Sequence, residues 1–320
     1  PLKAKLLWEG DLNFGLMPEA ASDYENARLI RLDDVDADSK EEMVFLTGGR
    51  RGFLDGHGGH FAVLNGRGDD LQPIGETIYS CEVGDVYDFF SHRYGAWFGQ
   101  GRDLLYCSFT DPDLRSIYYA PGGTGLPIRT VDRLRGADGD LLLIGFASAL
   151  HRTPGPIYES YRFQVFRFDR RLGVKVAEVE GAISGYWPTV VAADFDEDGT
   201  DEVAMAVPLG DSASFYYMDP DEGWKFESFA HVGAGGLMGA GDVDGDGRIE
   251  LLAGGYGYGD HQAGSWCFEL HAGTWVYDRP IQFPVGGNWS TIGLGDVLGD
   301  AELELVCRRQ DQVRIYGFGE

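Results

Sequence analysis

The sequence predicts an all-β protein built from repeated units, and three observations support that fold class. Short runs rich in aromatic and β-branched residues alternate with turn signals roughly every 8–12 residues, as in all-β folds. Glycine is abundant, with 48 among 320 residues, which suits a chain that turns often. No stretch shows the apolar period of an amphipathic helix. An acidic motif also recurs in one frame along the chain, which indicates an internal repeat.

The acidic frame is ten residues long and begins at Asp34, Asp194 and Asp242. Each copy has carboxylates at positions 1, 3, 5 and 9 and an apolar residue at position 10. Position 6 is glycine in the second and third copies and Ser39 in the first. Alternating carboxylates before a tight turn can surround calcium with oxygen ligands. A solvated acidic turn explains any single copy, but three copies in one frame favour calcium. The predicted ligands are Asp34, Asp36, Asp38, Glu42, Asp194, Asp196, Asp198, Glu202, Asp242, Asp244, Asp246 and Glu250.

The frame differs from an EF-hand, because position 12 holds Phe45, Met205 and Ala253 instead of glutamate. The flanking residues read as strands. With these features the motif resembles the calcium loops of the FG-GAP and VCBS repeats found in integrin-like β-propellers. The resemblance implies a propeller in which each loop joins the first and second strands of a blade. It implies no particular function, since adhesion proteins, lectins and enzymes all carry the repeat.

Alignment on the frame predicts six blades in a single domain over residues 1–320. A decayed copy begins at Asp296, and fainter copies lie at Asp132 and just before Asp103. Seven blades are the alternative, because residues 13–82 and 132–193 are long for single blades. The final segment reads as three strands, so residues 1–9 are predicted to supply its fourth strand and to close the ring.

The charge and the cysteine content limit where the protein can act and which partners it can bind. Acids outnumber bases 52 to 26, giving a formal charge of −26, which argues against nucleic acid. No apolar run is long enough to span a membrane. The first ten residues lack the features of a signal peptide. Calcium loops of modest affinity favour an extracellular or periplasmic location, and a monomer is expected. Buried free thiols are expected, with a disulfide as the alternative, at Cys81, Cys107, Cys267 and Cys307.

Candidate binding residues cluster in loops that are predicted to join second and third strands, on the side opposite the calcium loops. These loops and residues 91–94 contain five of the seven histidines, and Arg51, Arg93 and Arg152 add positive charge to them. Trp187 and Trp289, each seven residues before a position 1, would serve either blade packing or ligand stacking. The predicted catalytic residues are His57, His60, His92, His151, Arg152, and Tyr158 or Tyr161. The predicted substrate-binding residues are Arg51, Arg93, Trp187, Trp289 and His261.

A basic spot on a very acidic protein suits a carboxylated sugar. Uronate lyases need a cation for the carboxylate, a base and an acid, and some propeller-shaped polysaccharide lyases resemble this inventory of histidine, tyrosine and arginine. The chain is therefore predicted to act on an acidic glycan as a lyase, with a lectin or adhesion propeller as the alternative. The polar loops differ between blades, which favours one asymmetric site. Zinc at His57 and His60 is disfavoured because no third ligand is evident.

Overall fold

The computed structural model describes residues 2–11, 29–34, 41–47, 60–64, 79–80, 86–92, 95–108, 115–118, 126–152, 155–169, 171–181, 188–209, 212–232, 236–254, 265–271, 273–282, 290–309 and 312–319. All regular secondary structure in these ranges is β-strand, as predicted. Within them, no helix has the length and apolar character that crossing a membrane would require. The chain divides into two compact units. The first contains Pro1–Ala4, Ala120–Asn288 and Phe318–Glu320, and the second contains Lys5–Tyr119 and Trp289–Gly317.

The first unit contains three antiparallel four-stranded sheets whose strands follow chain order. The first sheet is β10 (Ile128–Gly136), β11 (Gly139–Arg152), β12 (Gly155–Asp169) and β13 (Arg171–Gly181). The second is β14 (Thr189–Ala193), β15 (Glu202–Leu209), β16 (Ser212–Met218) and β17 (Glu227–Val232). The third is β18 (Gly236–Gly241), β19 (Glu250–Gly254), β20 (Ser265–His271) and β21 (Thr274–Gln282). The first strands β10, β14 and β18 contact one another in that order.

The second unit repeats this plan. One sheet is β2 (Leu29–Asp33), β3 (Glu42–Thr47), β4 (His60–Leu64) and β5 (Tyr79–Ser80), and another is β6 (Val86–His92), β7 (Gly95–Gln100), β8 (Asp103–Ser108) and β9 (Arg115–Tyr118). A third group is β22 (Ser290–Gly295), β23 (Glu304–Arg309) and β24 (Gln312–Gly319), with β1 (Leu2–Asp11) beside β24. The first strands β22, β2 and β6 again contact one another in order.

Successive four-stranded up-and-down sheets, with their first strands side by side, are the blades of a β-propeller. The predicted all-β propeller fold is therefore confirmed. The predicted count of six blades is not met, because the described strands form five hydrogen-bonded sheets. One of the five has eight strands, in the order β18-β19-β20-β21-β1-β24-β23-β22. Its size arises because Leu2 and Lys3 of β1 pair in parallel with Ile281 and Gln282 of β21. Ring closure by the N-terminal strand stays a prediction.

Strand β15 shows how the sequence fills the core of the first unit. Alternate residues of a strand point to opposite faces of the sheet. Val203, Met205 and Val207 accordingly join a buried cluster with Leu143 and Phe163 of the preceding sheet. The smaller Ala204 and Ala206 belong to a second cluster, which includes Phe195, Phe215, Leu251 and Phe268. A near-continuous apolar run thus marks a strand buried on both faces.

Two of the fainter motif copies differ in the structure from their predicted role. Asp132 lies within β10, and a tight turn between Gly136 and Gly139 joins β10 to β11 where a loop was predicted. The turn at Gly101 joins β7 to β8, which are the second and third strands of their sheet. Neither segment has the acids at positions 3 and 5 that a cation would hold together, so each forms a short hairpin turn instead.

The cysteines that the structure describes are free thiols. Cys107, Cys267 and Cys307 are all buried, as predicted, and Cys81 lies outside the described residues. Buried thiols in apolar strands act as small hydrophobic side chains.

Candidate functional site

The two acidic motifs with glycine at position 6 form loops between the first and second strands of their sheets. Residues 194–201 join β14 to β15, and residues 242–249 join β18 to β19. Positions 4 and 6 of both loops have left-handed backbone conformations, with φ of 64° at Glu197, 94° at Gly199, 78° at Gly245 and 93° at Gly247. Glycine adopts this conformation without a Cβ clash, which explains why the motif carries it at position 6.

The loop after β22 has the same backbone geometry despite its decayed sequence. Its positions 4 and 6 are Gly299 and Ala301, with φ of 75° and 70°. In all three loops the aspartate at position 1 accepts a hydrogen bond from the amide of position 6, at 3.0 Å for Asp194, 3.0 Å for Asp242 and 3.1 Å for Asp296. The carboxylates therefore organise the loop backbone as well as lining it.

A buried glutamate at position 9 completes each loop. Glu202, Glu250 and Glu304 are at most 1% exposed. One oxygen of each, Oε2, accepts the amide of position 2, at 2.7 Å from Phe195, 2.7 Å from Val243 and 2.9 Å from Val297. Burial above all, with repulsion from nearby aspartates, raises the pKa of Glu202 and Glu250 to about 8 and that of Glu304 to about 7. These carboxylates need either a proton or a cation beside them.

In two of the loops, no described residue donates a hydrogen bond to the second oxygen of this glutamate. Among the described residues, Oε1 of Glu250, Oε1 of Glu304 and Oδ1 of Asp194 are buried and accept no hydrogen bond. The carboxylate oxygens converge in each loop, where one oxygen per residue lies within 4.8 Å of all the others. The groups are Asp194, Asp196, Asp198 and Glu202, then Asp242, Asp244, Asp246 and Glu250, then Asp296, Asp300 and Glu304.

The acids that converge in the first two groups are those predicted from the sequence, whereas the third group was not predicted as a ligand set. Leu298 stands at position 3 of that loop, which hides the alternating pattern. The acids at positions 1, 5 and 9 and the glycine at position 4 were the signal that could have identified it. In the remaining predicted loop, between β2 and β3, Asp34 and the buried Glu42 are described, whereas Asp36 and Asp38 lie outside the described residues.

Charged groups beside two of the loops modify their electrostatics. The turn after β16 brings Asp219 and Asp221 close to the first group, and a hydrogen bond with Asp198 raises the pKa of Asp221. Beside the second group, buried Glu269 lies opposite Glu250 in the strand register. Two like charges in that position repel, and the Glu269 carboxylate also contacts His271 Nε2 at 2.5 Å and Arg248 Nη1 at 3.5 Å.

Most residues of the predicted sugar site lie outside the described residues or are described only in their backbone. The residues that lie outside the described ranges are Arg51, His57, Arg93, Trp187, His261 and Trp289. His60 begins β4, right after the β3–β4 connection, as predicted. His92 ends β6, so it lies where the first strand of its sheet leads to the second, which is not the expected end. Its ring is buried and packs against Phe90 and Tyr106 at centroid distances of 6.0 Å.

Three of the predicted residues are brought together in one hairpin. Strands β11 and β12 pair as far as Arg152 and Gly155, whereas β10 stops pairing with β11 at Phe146. His151 lies opposite Pro156, and Tyr158 lies opposite Ala149. The long hairpin explains why residues 132–193 exceed the length of an ordinary blade. Tyr161, in contrast, is 2% exposed in the core with Leu143 and Phe163.

Comparison with known proteins gives structural neighbours only. No protein-family model and no curated protein matches the chain. A chain of the S. cerevisiae complex of Dbp5 with Nup159, Gle1, IP6 and ADP is 10% identical, with 100% of this chain and 96% of that chain covered and a TM-score of 0.44. The N-terminal domain of Nup159 is 11% identical, with the same coverages and a TM-score of 0.43. BBS1N in complex with ARL6DN is 10% identical, with 92% of both chains covered and a TM-score of 0.46. Similarity at this level carries no inference about what the chain binds.

Proposed function

We propose that the chain is a calcium-binding β-propeller of the FG-GAP/VCBS type, in which first-to-second-strand loops hold the ions. One observation carries the proposal. Glu250 and Glu304 are fully buried, and each has an oxygen that accepts no hydrogen bond from the described residues and lies among converging carboxylates. An uncompensated buried carboxylate is costly. A bound cation would supply the missing positive charge.

The donor set fits calcium better than the other common metals. The three groups offer only carboxylate oxygens, without the histidine nitrogen or cysteine sulfur that zinc prefers. Calcium accepts six to eight oxygens in a flexible geometry, whereas magnesium demands a near-ideal octahedron. Asp194, Asp242 and Asp296 would each hold an ion at position 1, with the glutamate at position 9 closing the site.

Calcium would then contribute substantially to stability. A site at a calcium concentration about tenfold above its dissociation constant gains roughly 1.4 kcal/mol. Three sites would add about 4 kcal/mol, against a typical total of about 5–15 kcal/mol. A monomeric propeller with these loops would therefore be most stable where calcium is plentiful, which is the case outside the cell or in the periplasm.

Thermal unfolding with and without a chelator tests the proposal. The melting temperature should fall in EDTA and recover with calcium more than with equimolar magnesium. Asp196→Ala should reproduce part of the loss. Asp138→Asn is the matched control, because Asp138 lies in the corresponding first-to-second-strand turn of β10 and β11, where the described residues form no converging acidic group. An identical melting curve in EDTA and calcium would show that the loops are solvated acidic turns.

A second proposal, that the propeller acts on an acidic glycan, is supported by the β11–β12 hairpin. Its register puts His151 and Arg152 at the end that projects beyond the pairing with β10. Arginine can bind a carboxylate in two-point fashion, and histidine can transfer a proton near neutral pH. Lyase activity on a uronate polymer is the reaction proposed, with glycan binding as a lectin or adhesion propeller as the alternative.

Ultraviolet absorbance and glycan binding distinguish these possibilities, and His151→Ala and Arg152→Lys test the residues. A lyase would release unsaturated uronate with new ultraviolet absorbance, and both variants should abolish it while melting as the wild type does. A lectin would bind acidic glycans without any absorbance change. Neither binding nor turnover across a panel of acidic polysaccharides would refute the glycan proposal and leave calcium binding unaffected.

A further inference from the structure

Glu41, just before β3, contacts the loop that follows β22, and both segments belong to the second unit. The Glu41 N–H donates to the carbonyl oxygen of Asp296 at 3.3 Å. In return, Glu41 Oε2 accepts the Asp296 N–H at 2.6 Å. The two hydrogen bonds tie the residue before Glu42 to position 1 of another acidic loop.

Local packing is shaped around this contact. A Cβ built on Gly295 would lie 2.8 Å from the Glu41 carboxylate, so a side chain at this position would force the carboxylate to move. Gly295 has no positive φ that would demand glycine for backbone reasons. The absence of a side chain at this position is therefore explained by the approach of Glu41.

Asp296 depends on that contact for its placement. It is 9% exposed, and its carboxylate organises the loop by accepting the amides of Gly299, Asp300 and Ala301. Its own N–H is bonded to Glu41. Losing that acceptor would leave a buried donor unsatisfied and release the backbone at the first ligand of the loop.

We infer that Glu41 is a positioning residue for the cation site of Asp296, Asp300 and Glu304, and that it links this site to the loop bearing Asp34 and Glu42. The inference rests on the calcium binding proposed above. Groups that orient metal ligands are a recognised determinant of metal affinity. Glu41 acts here through the backbone of Asp296 and not as a ligand.

The chain supplies a matched control in Asp201, which is also at position 8 of its loop. Asp201 makes the same exchange of two hydrogen bonds with Arg135. Arg135, however, belongs to β10, whose turn carries no converging acidic group among the described residues. Loss of Asp201 therefore weakens the same kind of contact between sheets without touching position 1 of a second cation loop.

Calorimetric calcium titration tests the inference in a background of Asp196→Ala and Asp244→Ala, which weakens the other two groups. The heat that Glu304→Gln removes belongs to the Asp296 site. Glu41→Ala should lower the affinity of that site about tenfold, at the lower end of the range for outer-shell partners. Glu41→Gln should stay within about twofold, because the amide oxygen can still accept the Asp296 N–H. Asp201→Ala should leave this affinity unchanged.

Gly295→Ala provides a second route that alters no acid, and it should reproduce the loss by displacing the Glu41 carboxylate. If calcium binds at the Asp296 site with unchanged affinity in Glu41→Ala or Gly295→Ala, the positioning role is overturned and calcium binding stands. An equal loss in Glu41→Gln would also overturn it, because the charge and not the hydrogen bond would then matter. If Glu304→Gln removes no heat, calcium binding at this loop fails and the inference fails with it.

Discussion

Asp201 and Arg135 of the first unit are joined by an ion pair and by two hydrogen bonds in which a backbone N–H is the donor. The Asp201 N–H donates to the Arg135 carbonyl oxygen at 2.7 Å, and the Arg135 N–H donates to Asp201 Oδ2 at 2.6 Å. The Arg135 guanidinium lies 3.1 Å from Asp201 Oδ1, but its side chain is 63% exposed. Solvent weakens an exposed ion pair, so the backbone bonds should carry most of the stabilisation.

Two substitutions separate these contributions. Asp201→Ala removes the acceptor of the Arg135 amide and should lower the free energy of unfolding by about 1–3 kcal/mol. Arg135→Ala keeps both backbone bonds and should cost no more than about 1 kcal/mol. Urea unfolding in saturating calcium measures both values. Equal losses in the two variants would show that the ion pair dominates.

The left-handed positions of the loops give a second prediction. Gly247 has φ of 93°, so Gly247→Ala should destabilise the protein by about 1–2 kcal/mol. Ala301 has φ of 70°, so Ala301→Gly should relieve strain and be neutral or stabilising by up to about 1 kcal/mol. Thermal unfolding in calcium compares them. A destabilising effect of Ala301→Gly would indicate that the loop after β22 is not held in this conformation.

The buried position 9 glutamates predict how stability changes with pH. In the calcium-free protein, burial raises the pKa of Glu202, Glu250 and Glu304 from 4.5 to about 8, 8 and 7. For a carboxyl with a raised folded pKa, the unfolded state binds fewer protons between the two values, so stability falls as pH rises. Their contribution is complete below about pH 4.5 and is lost as the pH passes through about 7–8.

Calcium should reverse this trend, because it binds the deprotonated carboxylates. The melting temperature in EDTA should decrease from pH 6 to pH 8, whereas the increment caused by calcium should increase over the same interval. Glu250→Gln, which mimics the protonated form, should flatten the decrease in EDTA and reduce the calcium increment. Parallel curves with and without calcium would contradict the assignment of these residues as ligands.

The fold class and two of the three acidic groups could be predicted because their signals are local. Alternating acids and a glycine predict the loops of Asp194 and Asp242, and the apolar runs that follow these loops predict β15 and β19. The third group was hidden by Leu298 and Ala301, although the backbone there follows the same path. Position 1, position 9 and the hydrogen bonds to the loop amides evidently preserve the geometry after the motif has decayed.

The remaining differences depend on contacts that are distant in sequence. The structure has five sheets, where six were predicted, because β1 pairs with Ile281 and Gln282 of β21 as well as lying beside β24. This pairing joins residues from opposite ends of the sequence, and a periodic pattern of residues gives no information about such contacts. His92 was assigned to a binding loop from its neighbours in sequence. Its burial against Phe90 and Tyr106 follows from which strand of the sheet it ends, which the sequence of this weakly patterned segment did not indicate.

The N-terminal strand gives the last prediction. Deleting residues 1–9 should destabilise the protein strongly, because β1 contributes to both units. In the first unit, Leu2 and Lys3 pair with the edge of β21. In the second unit, Glu9 Oε2 lies 3.1 Å from Arg314 Nε of β24, and Leu7 occupies the space beside Gly317.

Without β1, both β21 and β24 would expose unpaired backbone groups, which also favours association between molecules. The deletion should therefore lower the melting temperature and increase aggregation in light scattering. Lys3→Ala and Lys5→Ala are the controls, since both side chains are exposed and neither substitution removes a backbone hydrogen bond. If the shortened protein melts as the wild type does and stays monomeric, β1 is an accessory strand and the proposed closure of the propeller by its N-terminus is wrong.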